Sequence, residues 1–224
     1  MKEKTVEKHV YDQIRAAILG RQLAPGKQLV EHNISNTLGV SRTPIRNAIK
    51  KLSLEGLVDL IPNRGAFVTS PSKEEVIQAY ELRAKLEFLA VQKSMFVMDE
   101  NDYLTIKKIL EDEKESLRNP IPEDVVNANK AFHIAITQKC NNKFLNEFIE
   151  RLINQTNIYL MLFDEFYSNP GQKPFSPDEH RNILELIQNK DEANLKIALE
   201  NHFKHSITSI DFRYNGYKDL DEIF

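Results

Sequence analysis

One cysteine among 224 residues, Cys140, leaves nothing for an intramolecular disulfide to join. The chain also lacks an apolar run long enough to span a bilayer and has no secretory h-region, so a cytoplasmic location without membrane contact is expected. Internal repeats and low-complexity tracts are missing as well. There is little net charge, -3 in all, and with 41% hydrophobic and 28% charged residues the composition is that of a globular protein. The length accommodates one large or two modest domains.

The near-balance of charge conceals an asymmetry. Residues 1–70 carry eleven Lys and Arg against six Asp and Glu, whereas the remainder carries nineteen against twenty-seven. The first part is therefore +5 and the second -8, which directs any polyanionic partner to the N-terminal part.

The grammar of the chain changes at "TSPSKEE". Ser72 with Glu75 three residues on has the form of a capping box, and the amphipathic run that follows reaches about Met98. Further helices are predicted at 101–117, 122–139, 142–168, 177–189 and 191–211, the start at 177 marked by Ser176, Pro177 and Glu179. Six helices and no strand make an all-α bundle over 71–224. Before Ser72, helices are predicted near 6–19 and 31–38 and from Ser41 onward, followed by a hairpin in "LVDLIPNRGAFVT". The fold class is thus mainly α, with an N-terminal winged helix-turn-helix over 1–70 and a six-helix bundle behind it.

Ser35, Gly39 and Ile45 have the spacing that a helix-turn-helix requires: a small residue where two helices touch, a glycine for the turn, and an aliphatic plug. Ile45, Ile49 and Leu52 form the inward stripe of the second helix. Arg42, Thr43 and Arg46 then project away from it, near the end that enters the major groove in such motifs. Arginine suits the paired acceptors of guanine and also phosphates. A solvated basic helix face is the alternative.

In the second part His133, His180 and His202 each lie on an apolar helical stripe and should point inward, with Asn129 one turn before His133 on the same face. A single buried histidine is usually a hydrogen-bonded core residue. Three converging ones each need a partner, and a metal ion would satisfy all of them together. Both readings stay open on spacing alone. A metal hydrolase would also use three histidines, but it needs a general base; Glu179, next to His180, diverges from it on a helix, and no other acid presents itself by pattern. A bundle that merely dimerises and packs its histidines is the third class.

"GVSRTPIRNAIKKLSLEGLV", with "ILGRQLAPGKQL" upstream and "NRGAFV" downstream, resembles the DNA-binding domain of the GntR family of bacterial transcription regulators across nearly all of residues 10–69. The resemblance implies DNA contacts from Ser41, Arg42, Thr43 and Arg46, a wing tip at Asn63, Arg64 and Gly65 over the minor groove, and a role for His32, which stands where relatives carry a DNA-holding arginine. "NKAFHIAITQKCNN", "EHRNILELI" and "DEANLKIALENHF" resemble the FCD ligand-binding domain of the FadR branch, from about 75 to 212, in its short VanR-type form. That likeness implies a divalent metal ion, Zn or Ni, held by His133, His180 and His202, with Asn129 where metal-binding members have an aspartate.

An amide oxygen is neutral and a weaker ligand than a carboxylate, so affinity should fall and the site should gain one positive charge relative to those members. The implied ligand is a small organic acid that takes the open coordination positions. Arg83, in "ELRAKLE", is a second candidate carboxylate anchor, or else the partner of Glu87 one turn on. The expected protein is not an enzyme but an effector-responsive regulator, a repressor, that binds double-stranded operator DNA as a homodimer. The alternatives are a hydrolase-like bundle and a metal-free regulator of a larger ligand such as an acyl-CoA. "IYLMLFDEFY" is assigned to core or dimer surface and "EDEKE" to a solvated face; the tail "YNGYKDLDEIF" carries no assignment, a short segment packing on the bundle being one reading. Cys140 has no acid or base arrangement that would make it catalytic.

Overall fold

Val10, Ile14, Ala17 and Ile18 recur at helical spacing. In the computed structural model, which describes residues 2–118, 121–164, 166, 176–213 and 216–223, they are the covered face of α1 (Lys2–Leu19). The helix starts before residue 6 and stops at Gly20, where a Cβ would lie 2.8 Å from the Ala16 carbonyl oxygen. A turn follows, with Gly26 at a φ of +76°.

α2 (Glu31–Leu38) and α3 (Arg42–Leu54) are joined through Gly39, whose φ of 64° and ψ of 28° belong to the left-handed region. The Ser35 hydroxyl donates to the Val40 carbonyl at 2.7 Å and closes the same turn. Ile45, Ile49 and Leu52 are buried as the stripe predicts, each contributing roughly 1.5–3 kcal/mol. β1 (Val58–Ile61) and β2 (Gly65–Val68) form the antiparallel hairpin, turning through Asn63 and Gly65 at φ of +60° and +106°. Residues 26–29 add a third edge that the sequence does not advertise: Gly26 N–H donates to Val68 O, Val68 N–H to Lys27 O and Leu29 N–H to Ala66 O, at 2.8–2.9 Å.

The chain divides into two compact units, one comprising the N-terminal part up to Pro71 together with the tail from Arg213, the other Ser72–Phe212. The tail therefore departs from the reading that packs it on the bundle. Lys218 N–H donates to Gln22 O at 2.8 Å, Lys27 pairs with Asp219, and Leu220, in the short helix α10 (Leu220–Ile223) against α2, is buried. None of these contacts involves the bundle.

Six helices make up the described residues of the second unit: α4 (Lys73–Ser94), α5 (Glu100–Ser116), α6 (Pro122–Thr137), α7 (Lys143–Phe163), α8 (Ser176–Gln188) and α9 (Glu192–Thr208). α4 starts with the capping box the sequence suggests, Glu75 N–H donating to Ser72 Oγ at 3.1 Å and Ser72 N–H to the Glu75 carboxylate at 2.7 Å. It ends at Ser94 rather than Met98, because Asp99 opens α5 with a box of its own on Asp102. α6 passes into a 3-10 turn at Gln138–Cys140, which buries Cys140 in a core cluster with Ala90, Leu145, Ile149 and Ile153. Of the helix expected over 142–168, residues 165, 167 and 168 lie outside the described residues. Ile158 to Phe163 and Phe166 are already buried within this one chain, so they belong to its core. α4 packs on α6, α7 and α9, α5 on α6 and α8, and α8 on α9, an arrangement in which every helix of the bundle reaches its interior.

Candidate functional site

α6, α8 and α9 deliver His133, His180 and His202 to one place, with 0%, 0% and 3% of their surfaces exposed. The rings lie 4.8–5.1 Å apart, and one nitrogen from each falls within 4.8 Å of the others. Behind each ring stands a glutamate. His133 Nδ1 meets Glu87 of α4 at 2.7 Å, His180 Nδ1 meets Glu113 of α5 at 2.9 Å, and His202 Nδ1 meets Glu179 of α8 at 2.8 Å. Glu179 also pairs with the partly exposed His205.

A carboxylate that is ionised only accepts hydrogen bonds, and a ring facing one carries its proton on Nδ1 and turns the Nε2 lone pair inward. Burial, aided by the nearby Arg83 charge, pushes His133 well below the usual histidine range. Burial likewise lowers His202 to about 4 although Glu179 opposes it. Both rings are neutral at neutral pH. Burial would raise Glu179, but hydrogen bonds from His202 and His205 outweigh it and hold the carboxyl at about 2. Glu87 is raised to about 7 by burial against the pull of Arg83.

The inward atoms test whether a cation fits. His133 Nε2 and His202 Nε2 face each other at 3.2 Å, while His180 Nε2 is buried without any hydrogen-bond partner. Two lone pairs at that distance repel. A proton on one of them, with Glu87 protonated behind it, would relieve that pair, but it leaves His180 unsatisfied. A cation satisfies all three, and two nitrogens bound to one ion at about 2.1 Å sit roughly 3–3.4 Å apart. Carboxylates behind ligating imidazoles are the usual outer support of such sites. Asn129, one helix turn before His133, is buried and its Nδ2 donates to Asn157 Oδ1 at 3.4 Å, which leaves its carbonyl oxygen as the atom it can offer.

Arg83 is 1% exposed and resolves its two sequence readings into one arrangement. Nε donates to Glu87 at 2.6 Å and Nη1 to Thr156 Oγ1 at 2.9 Å, so the ion pair is formed. Nη2 nonetheless has no partner, and the guanidinium lies 4.8 Å from the Phe203 ring centroid. An unused donor on a buried cation is costly unless something accepts from it. The bundle thus contains two orphaned polar atoms, Arg83 Nη2 and His180 Nε2, with opposite hydrogen-bonding character among the described residues.

Three supporting residues escape sequence reasoning. Glu113 sits inside "EDEKE", expected to be solvated, yet it is 1% exposed while its neighbours face solvent. Its spacing of seven from buried Ile106 is the signal that places it inward. Glu179 does diverge from His180 and supports His202 instead. Thr156 shows no pattern that distinguishes it from other polar residues of α7.

In the first unit Ser41, Arg42, Thr43, Arg46 and Lys50 are exposed along α3, with Ser41 at its N-cap position. Asn63, Arg64 and Gly65 are exposed at the wing tip, where Gln28 Nε2 donates to Arg64 O at 2.8 Å. A groove of about 520 Å³ runs between α3 and the wing. His32 Nδ1 lies 3.2 Å from Arg42 Nη2, and Glu31 takes two hydrogen bonds from Arg46, at 2.9 Å from Nε and 2.8 Å from Nη2.

Comparison with known proteins agrees with both halves. The gntR family of bacterial regulatory proteins matches residues 6–68, and the FCD domain matches residues 78–205. The HTH-type transcriptional regulator YdhC of Bacillus subtilis is 26% identical over 196 residues, covering 87% of this chain and 86% of its own. McbR of Escherichia coli is 23% identical across 96% of this chain and 97% of its own, and the HTH-type transcriptional repressor RspR of Escherichia coli is 24% identical across 92% and 89%. Among solved structures, E. coli McbR/YncC aligns with a TM-score of 0.66 at 22% identity over 91% of this chain and 95% of its own, and a GntR regulator from Rhodococcus with 0.68 at 21% over 96% and 99%. These likenesses speak for the fold. The chain belongs to the gntR family of bacterial transcription regulators and joins its helix-turn-helix DNA-binding domain to an FCD domain.

Proposed function

We propose that this regulator is an effector-responsive repressor of the FadR branch, of the VanR-like form, which binds operator DNA as a homodimer and senses a small organic acid in its FCD bundle beside a divalent metal ion, Zn or Ni. The observation that carries the proposal is the convergence of three Nε2 atoms whose Nδ1 partners are all glutamates. His133, His180 and His202 would hold the ion, with the Asn129 oxygen on the same face, and the ion would act as a Lewis acid anchor for an anionic oxygen. Arg83 Nη2, fixed by Glu87 and Thr156, is a ready donor for a carboxylate.

The supporting carboxylates bear on the missing aspartate. Carboxyl groups of Glu87, Glu113 and Glu179 stand directly behind the three ligands, although Glu87 is shared with Arg83, so acidic groups surround a divalent ion even with Asn129 in place of an aspartate. The same commitments speak against hydrolysis. Each glutamate is tied to a histidine and to at least one further group, Arg83, Ser176 or His205, and none is free to act as general base. One relative carries the name of a transcriptional repressor, which supports that direction of control. Exposed apolar side chains Leu82 and Leu89 on α4 and Phe144 and Phe148 on α7, two helices that pack together, support self-association.

α4 starts directly after the wing across Ser70–Pro71–Ser72 and carries Arg83 and Glu87 into the bundle. A ligand that favours one position of this helix can alter DNA affinity, and only to the extent that it binds the two arrangements differently. A screen of small mono- and dicarboxylic acids on the metal-loaded protein should yield at least one that changes operator affinity severalfold, with weaker binding the expected direction. His180→Ala should abolish that response while effector-free DNA binding persists. A response to acyl-CoA thioesters alone, unchanged in the histidine variants, would replace this reading with metal-free sensing of a larger ligand.

A further inference from the structure

The reading arginines of α3 do not stand free. Arg46 is exposed, yet its Nε and Nη2 both donate to the Glu31 carboxylate at the start of α2, fifteen residues earlier. Glu31 is held below the usual carboxylate range by that hydrogen bonding, with the charges of Arg42 and Lys50 adding to it. Arg42 leans on His32 in the same helical turn of α2. We propose that Glu31 is a positioning residue for DNA sequence recognition: by gripping the Nε edge of Arg46 it aims the remaining Nη1 and Nη2 hydrogens, as a fork, at the paired acceptors of a guanine.

A guanidinium has five N–H groups, and the bidentate pair with Glu31 consumes two on one edge. What remains is the end-on fork, the geometry that matches O6 and N7 of guanine in the major groove. A free arginine side chain samples many rotamers and can reach phosphates as readily as bases. Held by Glu31, Arg46 has already lost much of that freedom, so the loss does not recur on binding the right base. The carboxylate also repels the DNA backbone, which weakens binding to every sequence alike. Glu31 therefore trades general affinity for discrimination, which a salt bridge serving only to join α2 and α3 would not do.

This inference rests on Arg46 contacting DNA, and the test separates the two claims. Full-length protein is used to select binding sites from a randomised duplex library, and affinity for random-sequence duplex is measured against salt. Arg46→Lys, which keeps the charge but loses the fork, identifies the base pair that Arg46 reads. Glu31→Gln should lose preference at that same base pair by about fivefold or more. It should also bind random duplex more tightly, with the salt slope steeper by about one as Arg46 turns to a phosphate. Glu31→Asp keeps the charge but is one methylene shorter and cannot meet both nitrogens; it should lose the same preference without the gain in random binding. Wild-type preference retained in Glu31→Gln and Glu31→Asp, while Arg46→Lys loses it, would overturn the proposal. A preference unchanged even in Arg46→Lys would remove Arg46 from base reading, and the proposal with it.

Discussion

Replacing Glu113 by glutamine should have opposite effects on the empty and the metal-loaded protein. Glu113 is 1% exposed and accepts from His180 Nδ1 at 2.9 Å. Glutamine preserves an acceptor oxygen of the same reach but removes a buried negative charge, whose desolvation the folded protein otherwise bears. Without metal, the variant should therefore melt at the wild-type temperature or above it. With metal the sign reverses, because the charge behind His180 raises the basicity of its Nε2 and fixes its ring. Loss of such support typically weakens metal affinity 10–100-fold. At a metal concentration of about 100 times the wild-type Kd, mass action stabilises the wild type by about 2.7 kcal/mol and the variant by roughly 0.4–1.4 kcal/mol. At about 2–4 °C per kcal/mol for a chain of this size, the wild-type rise of about 5–11 °C should shrink to roughly 1–6 °C. Differential scanning calorimetry of chelator-treated protein, with and without Zn²⁺ or Ni²⁺, reads both signs. An identical metal-induced rise in Glu113→Gln and wild type would show that Glu113 does not support a metal-binding His180.

Asn129→Asp should enlarge the metal-induced rise, since a carboxylate on the His133 face supplies an anionic ligand; isothermal titration that finds equal affinities would place Asn129 outside the coordination sphere. Arg42→Ala and Arg46→Ala should each weaken specific DNA binding by roughly 5–150-fold, measured by fluorescence anisotropy, with the melting of the bundle unaltered. Unchanged affinity in both would exclude them from recognition. If the proposed homodimer forms through this face, Leu89→Glu combined with Phe148→Glu should give a monomer in sedimentation where the wild type is a dimer, because both side chains are exposed on the neighbouring helices α4 and α7. A monomeric wild type would dismiss the dimer, and a dimeric double variant would place its interface elsewhere.

The helix-turn-helix was legible because its constraints are local. Gly39 at positive φ, Ser35 closing the turn and the Ile45, Ile49 and Leu52 stripe all lie within eighteen residues and leave a period in the sequence. The histidines were legible for the same reason, each marked by apolar neighbours one turn away. Their supporting shell was not. Glu113 and His180 are 67 residues apart, and a glutamate in an acidic run gives no sign that one member of the run is covered. Glu179 was visible and rightly separated from its neighbour His180, but helix geometry within one segment gives no sign of His202 on another helix. Ion pairs between distant helices depend on packing, and packing has no period. The tail and the 26–29 edge of the wing share that limitation, as backbone hydrogen bonds carry no side-chain signature.

On the proposed function, His133, His180 and His202 together hold one divalent cation. The direct measurement is elemental analysis of untagged full-length protein, loaded with Zn²⁺ or Ni²⁺ and freed of excess by gel filtration, alongside its His133→Ala, His180→Ala and His202→Ala variants. One ion per chain is expected in the wild type and near none in each variant, with circular dichroism showing all four folded. Wild-type protein that retains no metal, or single-histidine variants that retain as much as the wild type, would contradict it and return the three histidines to the core.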